Sequence, residues 1–173
     1  MTSQKGRRSL GRWCKSNHTD FIFKSVIFIN MIRSISLVDI LLEVKSPTVS
    51  TLISKIKSCL EPELLEPKYR KENESNPMFG HCYVATEALY HLLKSTKLKG
   101  TFKPHQGEDD RGISHWWLQN EDGKILDVTS AQYTSKGKTP PYKKGSGRAF
   151  MTQKASKRAR KVIRCVRLKM SGE

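Results

Sequence analysis

The chain has 173 residues, 36% of them hydrophobic and 28% charged, with a formal net charge of +16. That length suits one compact domain with its own core, and the composition fits a globular protein with solvated or disordered ends. The charge divides as +5 over residues 1–45, −1 over 46–135 and +12 over 136–173. An electrically ordinary middle speaks against a central fold built to read nucleic acid. It leaves weak, salt-sensitive contact with nucleic acid or another polyanion to the two ends, unless their charge is merely solubilising.

Residues 1–45 form a basic and apolar extension. Within it, "FIFKSVIFINMIRSISLVDILL" (21–42) carries Lys24, Asn30, Arg33 and Asp39, charges and an amide that are costly in lipid. A membrane tether through this stretch is therefore the alternative, and a cytoplasmic protein without membrane association the expectation. The arginines ahead of it mimic a signal peptide, but no small-residue cleavage site follows. A start at Met31, with residues 1–30 an upstream extension that never packs, is a third possibility.

Residues 46–173 are expected to form a single domain. In "TVSTLISKIKSCL" (48–60), Val49, Leu52, Ile53, Ile56 and Leu60 recur at helical spacing. Residues 61–79, rich in Glu, Lys and Asn and broken by Pro62, Pro67 and Pro77, predict an exposed connection. A second helix begins near Gly80–Cys82 and presents Val84, Ala85, Ala88, Leu89, Leu92 and Leu93 on one face. Cys82 then falls in its first turn, where free N–H groups and the helix dipole favour negative charge.

A strand end near residue 100 leads into the acidic loop "GEDD". Strands at Ile113–Gln119 and Lys124–Thr129 are joined by the turn "NEDG". Residues 134–149 predict a loop. From a cap at Thr152 a last helix carries Ala155, Ala159, Val162, Ile163 and Val166 on a narrow stripe amid lysines and arginines. "VIRCVRL" also alternates as a closing strand would. This basic stretch has no aromatic residue for stacking bases, so non-specific phosphate contact is all it supports.

The cysteines are Cys14, Cys59, Cys82 and Cys165. None has zinc-ligand spacing, and no metal or cofactor is expected. A chain of this length does not need disulfides, which favours a reducing, cytoplasmic setting.

A nucleophilic cysteine works as thiolate, which a helix N-terminus and a neighbouring imidazole both favour. The imidazole in turn needs a carboxylate or amide to fix its tautomer. Cys82 at a helix start, His115 opening one strand and Asp127 closing the next supply these three parts. A turn at 120–123 sets residues 116–118 opposite roughly 125–127, within reach of the pair. Cys82 as a small core residue, and Asp127 as a mere cap on the turn at Thr129 and Ser130, are the competing readings. Trp116 and Trp117 point to opposite faces of a strand, one into the core and one, taken to be Trp117, toward the site. Gln132 and Tyr133 serve to pin the following loop, with Gln132 a weaker candidate for the cleft. His81 is a neighbour of Cys82 and not a ligand.

Cysteine at a helix start, then "HWW" and then "DVT", resembles the transglutaminase-like branch of the papain-like cysteine fold. The stretch "NPMFGHCYVATEAL…SHWWLQNEDGKILDVTSAQY" is also similar to the YunG-like proteins of bacteria and their phages. Their N-P-x-x-G-x-C, H-[YW]-W and D-x-T-x-x-Q-[FY] segments are met here by Cys82, His115, Trp117, Asp127, Thr129, Gln132 and Tyr133. The resemblance covers about residues 48–150. It implies an α+β core, with the cysteine helix packed on an antiparallel sheet carrying His115 and Asp127. It also implies thiol-dependent acyl transfer on a protein or peptide: cleavage, deamidation or transfer to an amine. No glutamine lies just upstream of Cys82, so Asn76 or the Cys82 backbone N–H would have to steady the oxyanion. The alternative function is an inactive phage or mobile-element accessory protein that binds a host protein or nucleic acid through its basic ends.

Overall fold

The computed structural model of the chain describes residues 47–172. The expectations for the N-terminal extension, for residues 21–42 and for a start at Met31 lie outside the described residues.

The chain begins with helix α1, Val49–Lys57, capped by Thr48, whose hydroxyl accepts the Thr51 N–H at 3.1 Å. Leu52 and Ile56, four apart on one face, are buried. Each stabilises the core by about 1.5–3 kcal/mol. Residues 61–79 are more ordered than the sequence suggests. Pro62–Leu64 is a 3-10 turn and Pro67–Ser75 a helix, α2. Proline punctuates this stretch without preventing a helix, because Pro67 sits in the first turn, where its missing N–H is not needed. Leu64, Leu65, Asn73 and Phe79 are buried, so the connection packs as well as connects.

Helix α3, Cys82–Leu93, buries the predicted face of Val84, Ala85, Ala88, Leu89, Leu92 and Leu93. Strand β1, Lys103–Glu108, pairs antiparallel with β2, Ser114–Gln119. Strand β3 is only Ile125–Leu126, paired antiparallel with β2 so that Leu118 faces Leu126. The predicted strand stops there because Asp127 turns its side chain onto the backbone ahead, as described below. A short helix α4, Ala131–Thr134, follows. The predicted loop at 134–149 contributes a fourth strand, β4 (Ser146–Gly147), on the other edge of β1. The result is an α+β fold with a four-stranded antiparallel sheet in the order β3-β2-β1-β4.

The last helix, α5, spans Lys157–Ser171. Its cap is Ser156, not Thr152, and the alternating "VIRCVRL" is helical. Ala159, Val162, Ile163 and Val166 form its buried stripe. The start is fixed by fully buried Glu87 of α3, which accepts the Ser156 N–H at 2.8 Å and its hydroxyl at 2.6 Å. The same hydroxyl accepts the Ala159 N–H. Helix α3 packs against β2 and against both α1 and α5, and α1 packs against α5. The Thr86 hydroxyl donates to the Trp116 carbonyl at 2.9 Å, tying α3 to the sheet.

The packing of α1 on α5 brings Cys59 and Cys165 into a disulfide, with Cα atoms 6.1 Å apart. This corrects the expectation that the chain does without crosslinks, and it removes the argument from cysteine usage for a reducing compartment. Cys82 is free. Among the described residues no helix is long and apolar enough to cross a membrane.

Candidate active site

The loop before α3 aims Cys82. The Asn73 side-chain amide donates to the carbonyls of Pro77 at 3.0 Å and Phe79 at 2.9 Å, closing the "NPMFG" turn. Gly80 follows with φ +79°, where a Cβ would come within 2.9 Å of the Tyr69 Cβ, so glycine is required there on both counts. Cys82 is then the first residue of α3. Its side chain is buried but lines a cavity, and the thiol donates to the Ser114 carbonyl at 3.6 Å. No side chain caps this helix. Among the described residues no backbone acceptor takes the Cys82 N–H.

His115 is wholly buried on β2. Its Nε2 lies 2.7 Å from Asp127 Oδ2, an oxygen that also accepts the Tyr142 hydroxyl at 2.8 Å. The other carboxylate oxygen, Oδ1, accepts the Thr129 N–H at 2.8 Å and its hydroxyl at 3.4 Å. Asp127 therefore does both things the sequence offered as alternatives: one oxygen caps the turn, the other orients the imidazole. A carboxylate can only accept, so Nε2 carries a proton; the Gln132 side-chain amide lies 2.7 Å from Nδ1, donating N–H to the neutral ring or, turned over, accepting from the imidazolium through its oxygen.

The ring is stacked on Trp117, with centroids 5.9 Å apart, and meets the edge of Tyr133 at 5.0 Å. Burial works against protonation of His115. The Asp127 hydrogen bond and charge, together with the proximity of Cys82, outweigh it and raise its pKa to about 9. Burial, then the Asp127 charge and hydrogen bond, push the Tyr142 phenol up as well, so it stays a donor.

Three predicted residues thus converge: the thiol of Cys82, the ring of His115 and the carboxylate of Asp127. The weaker candidates fare differently. Gln132 is at the centre, bonded to the ring, where the sequence had assigned it chiefly to pinning a loop. Asn76 is buried and donates to the Gln132 carbonyl at 3.0 Å, so its amide holds the segment that carries Gln132. Trp117 lies beside the site, against His115, and Trp116, expected in the core, borders the site as well. Trp117 is 0% exposed and backs the imidazole, while Trp116 lines the cavity at Cys82. The reason is strand alternation: Trp117 shares the face of His115, and Trp116 shares that of Ser114.

Two residues escaped the sequence reading. Tyr142 gave no signal, because its loop comes to the site only through the pairing of β4 with β1. Gln106 lies across the ladder from Trp116 and lines the same cavity as Cys82. His81, just before Cys82, is 1% exposed, and neither ring nitrogen has a partner. Burial, reinforced by the Arg158 charge, lowers its pKa to about 4, so it is a neutral packing group at neutral pH.

Two cavities meet at Gln132. One, about 420 Å³, is lined by Cys82, Gln106, Ser114, Trp116 and Arg148, and the other, about 720 Å³, by Tyr133, Tyr142 and several lysines. Both include Phe79 and Gln132 in their walls. Comparison of the chain with protein-family models, with curated proteins and with solved structures gives no match.

Proposed function

We propose that the protein is a thiol-dependent acyl-transfer enzyme of the transglutaminase-like and papain-like kind, in which Cys82 is the nucleophile. The observation that carries this reading is the His115 ring. It is held by Asp127 at 2.7 Å through Nε2, and its charged form is favoured jointly by Asp127 and Cys82. A core histidine needs neither partner, and a structural cysteine needs no cavity.

In this mechanism His115 takes the thiol proton, and the thiolate of Cys82 attacks a substrate carbonyl carbon, forming the C–S bond. The imidazolium, steadied by Asp127, returns the proton to the leaving amine as the C–N bond breaks. Water or an amine then resolves the thioester. The developing oxyanion is met by the Cys82 N–H at the start of α3 and by the Gln106 side-chain amide. This replaces Asn76, whose amide is engaged elsewhere.

The test is the rate at which iodoacetamide alkylates Cys82 in wild type, His115→Gln and Asp127→Asn proteins at neutral pH. The reading expects a fall of at least about tenfold in both variants. Equal rates in all three proteins would refute it. The second reading, an inactive accessory protein that binds a partner through its basic ends, finds support in α5, which carries seven lysines and arginines and no acid. Binding that survives Cys82→Ser and is lost on neutralising α5 would favour it.

A further inference from the structure

The larger cavity has a composition that the chemistry at Cys82 does not require. Arg111, Lys136, Lys138, Lys143 and Lys144 line it, against Asp109 and Asp110. Several of these charges are already paired. Arg111 meets Glu72 at 3.1 Å and Asp109 at 3.5 Å, Lys136 meets Glu72 at 3.4 Å, and Lys144 meets Asp110 at 2.6 Å. Lys138 and Lys143 have no ion-pair partner among the described residues; Lys138 acts on Asp110 only through its charge, and Lys144 holds that carboxylate. The cavity thus keeps an excess of positive charge. Its other walls are flat and apolar, made by Phe79, Pro140, Pro141 and Tyr142. A cationic rim over an apolar wall suits a short aliphatic stem that ends in an anion.

The position matters as much as the charge. The cavity shares Phe79 and Gln132 with the walls of the Cys82 cavity, and the Gln132 amide lies on His115. A chain whose carbonyl reaches the thiol would place a neighbouring side chain there. The thiol acts on a carbonyl carbon, which a phosphodiester backbone lacks, so the anion belongs to an acyl compound. We propose that this cavity is a subsite for an acidic side chain of a peptide substrate, adjacent to the carbonyl that Cys82 attacks. The assignment rests on the acyl-transfer reading and gives it a substrate class.

The experiment compares two peptidyl chloromethyl ketones that differ only in Glu or Gln next to the reactive residue, with Cys82 labelling followed by mass spectrometry. The Glu reagent labels about three- to tenfold faster at low salt, the worth of two exposed charge contacts, and the advantage shrinks as salt rises. The double variant Lys138→Gln, Lys143→Gln abolishes that advantage and leaves the Gln reagent's rate within about twofold. Equal rates in wild type would overturn the subsite while leaving the thiol chemistry intact. So would an equal loss of the advantage on neutralising Arg164 and Arg167 of α5, which would trace it to the field of the whole protein. If neither reagent labels Cys82, the acyl-transfer reading falls and the subsite with it.

Discussion

In the neutral ring the side-chain amide of Gln132 donates to Nδ1 of His115 at 2.7 Å, so the ring nitrogen not committed to Asp127 is already occupied. For His115 to take the Cys82 proton at Nδ1, that hydrogen bond has to yield. Gln132→Leu removes the donor while filling the space. We expect iodoacetamide to alkylate Cys82 about fivefold faster in this variant, corresponding to one hydrogen bond of about 1 kcal/mol. A slower rate would mean that Gln132 orders the ring for reaction and does not restrain it.

Stability should have a maximum in pH, set by two histidines of opposite sign. His115 has a folded pKa of about 9, above the ordinary imidazole value. Between that ordinary value and 9 the folded state binds the extra proton, so stability is full below about 6.5 and declines as pH rises through 9. His81, buried without partners, has its folded pKa lowered to about 4. There the unfolded state binds the proton, so stability declines as pH falls from about 6.5 through 4. Urea unfolding across this range checks both limbs. His81→Phe should flatten the acid limb, and His115→Gln the alkaline one.

Gly145 is fixed by Trp117. A Cβ on Gly145 would overlap the outer edge of the Trp117 ring, and one on Gly107 would come within 3.1 Å of the same ring. Gly145→Ala must therefore move the tryptophan that backs His115, or the strand edge that carries β4. A loss of about 1–3 kcal/mol in unfolding free energy is expected, with slower alkylation of Cys82. Unchanged stability would mean the loop yields freely.

The site was legible in the sequence where local chemistry forces a choice. Cys82 could be placed at a helix start because Pro77 and Gly80 break the chain just before the apolar face of α3. The "NEDG" turn set the register that brings His115 near Asp127. What was hidden depends on long-range pairing. Gln106 looks like any strand residue until β1 pairs with β2, and Tyr142 like any loop residue until β4 joins β1. The place of Trp116 beside Cys82 has the same origin, since alternation says that the two tryptophans differ but not which face receives α3. α2 stands where the sequence predicts an exposed connection because a proline can open a helix as readily as break one, and Pro67 opens this one.

The Cys59–Cys165 bond closes a loop of 106 residues and joins α1 to α5. Reduction, or Cys165→Ser, is expected to lower the unfolding free energy by about 2–5 kcal/mol. Non-reducing peptide mapping identifies the crosslink, and urea unfolding with and without reductant gives its contribution. Because Glu87 on the cysteine helix holds the start of α5, the reduced protein should also label faster at Cys82 only if α5 detaches.

The most direct measurement of the central claim is capture of the acyl-enzyme. Mixed with p-nitrophenyl acetate, the wild type protein should release a stoichiometric burst of nitrophenol, with one acetyl group recovered as a thioester on Cys82. Cys82→Ser should remove the burst, and Gln106→Leu should slow it about a hundredfold while leaving iodoacetamide alkylation, which forms no oxyanion, unchanged. Acetyl groups found on lysines alone, with no burst and no thioester at Cys82, would contradict the proposal that Cys82, His115 and Asp127 work together.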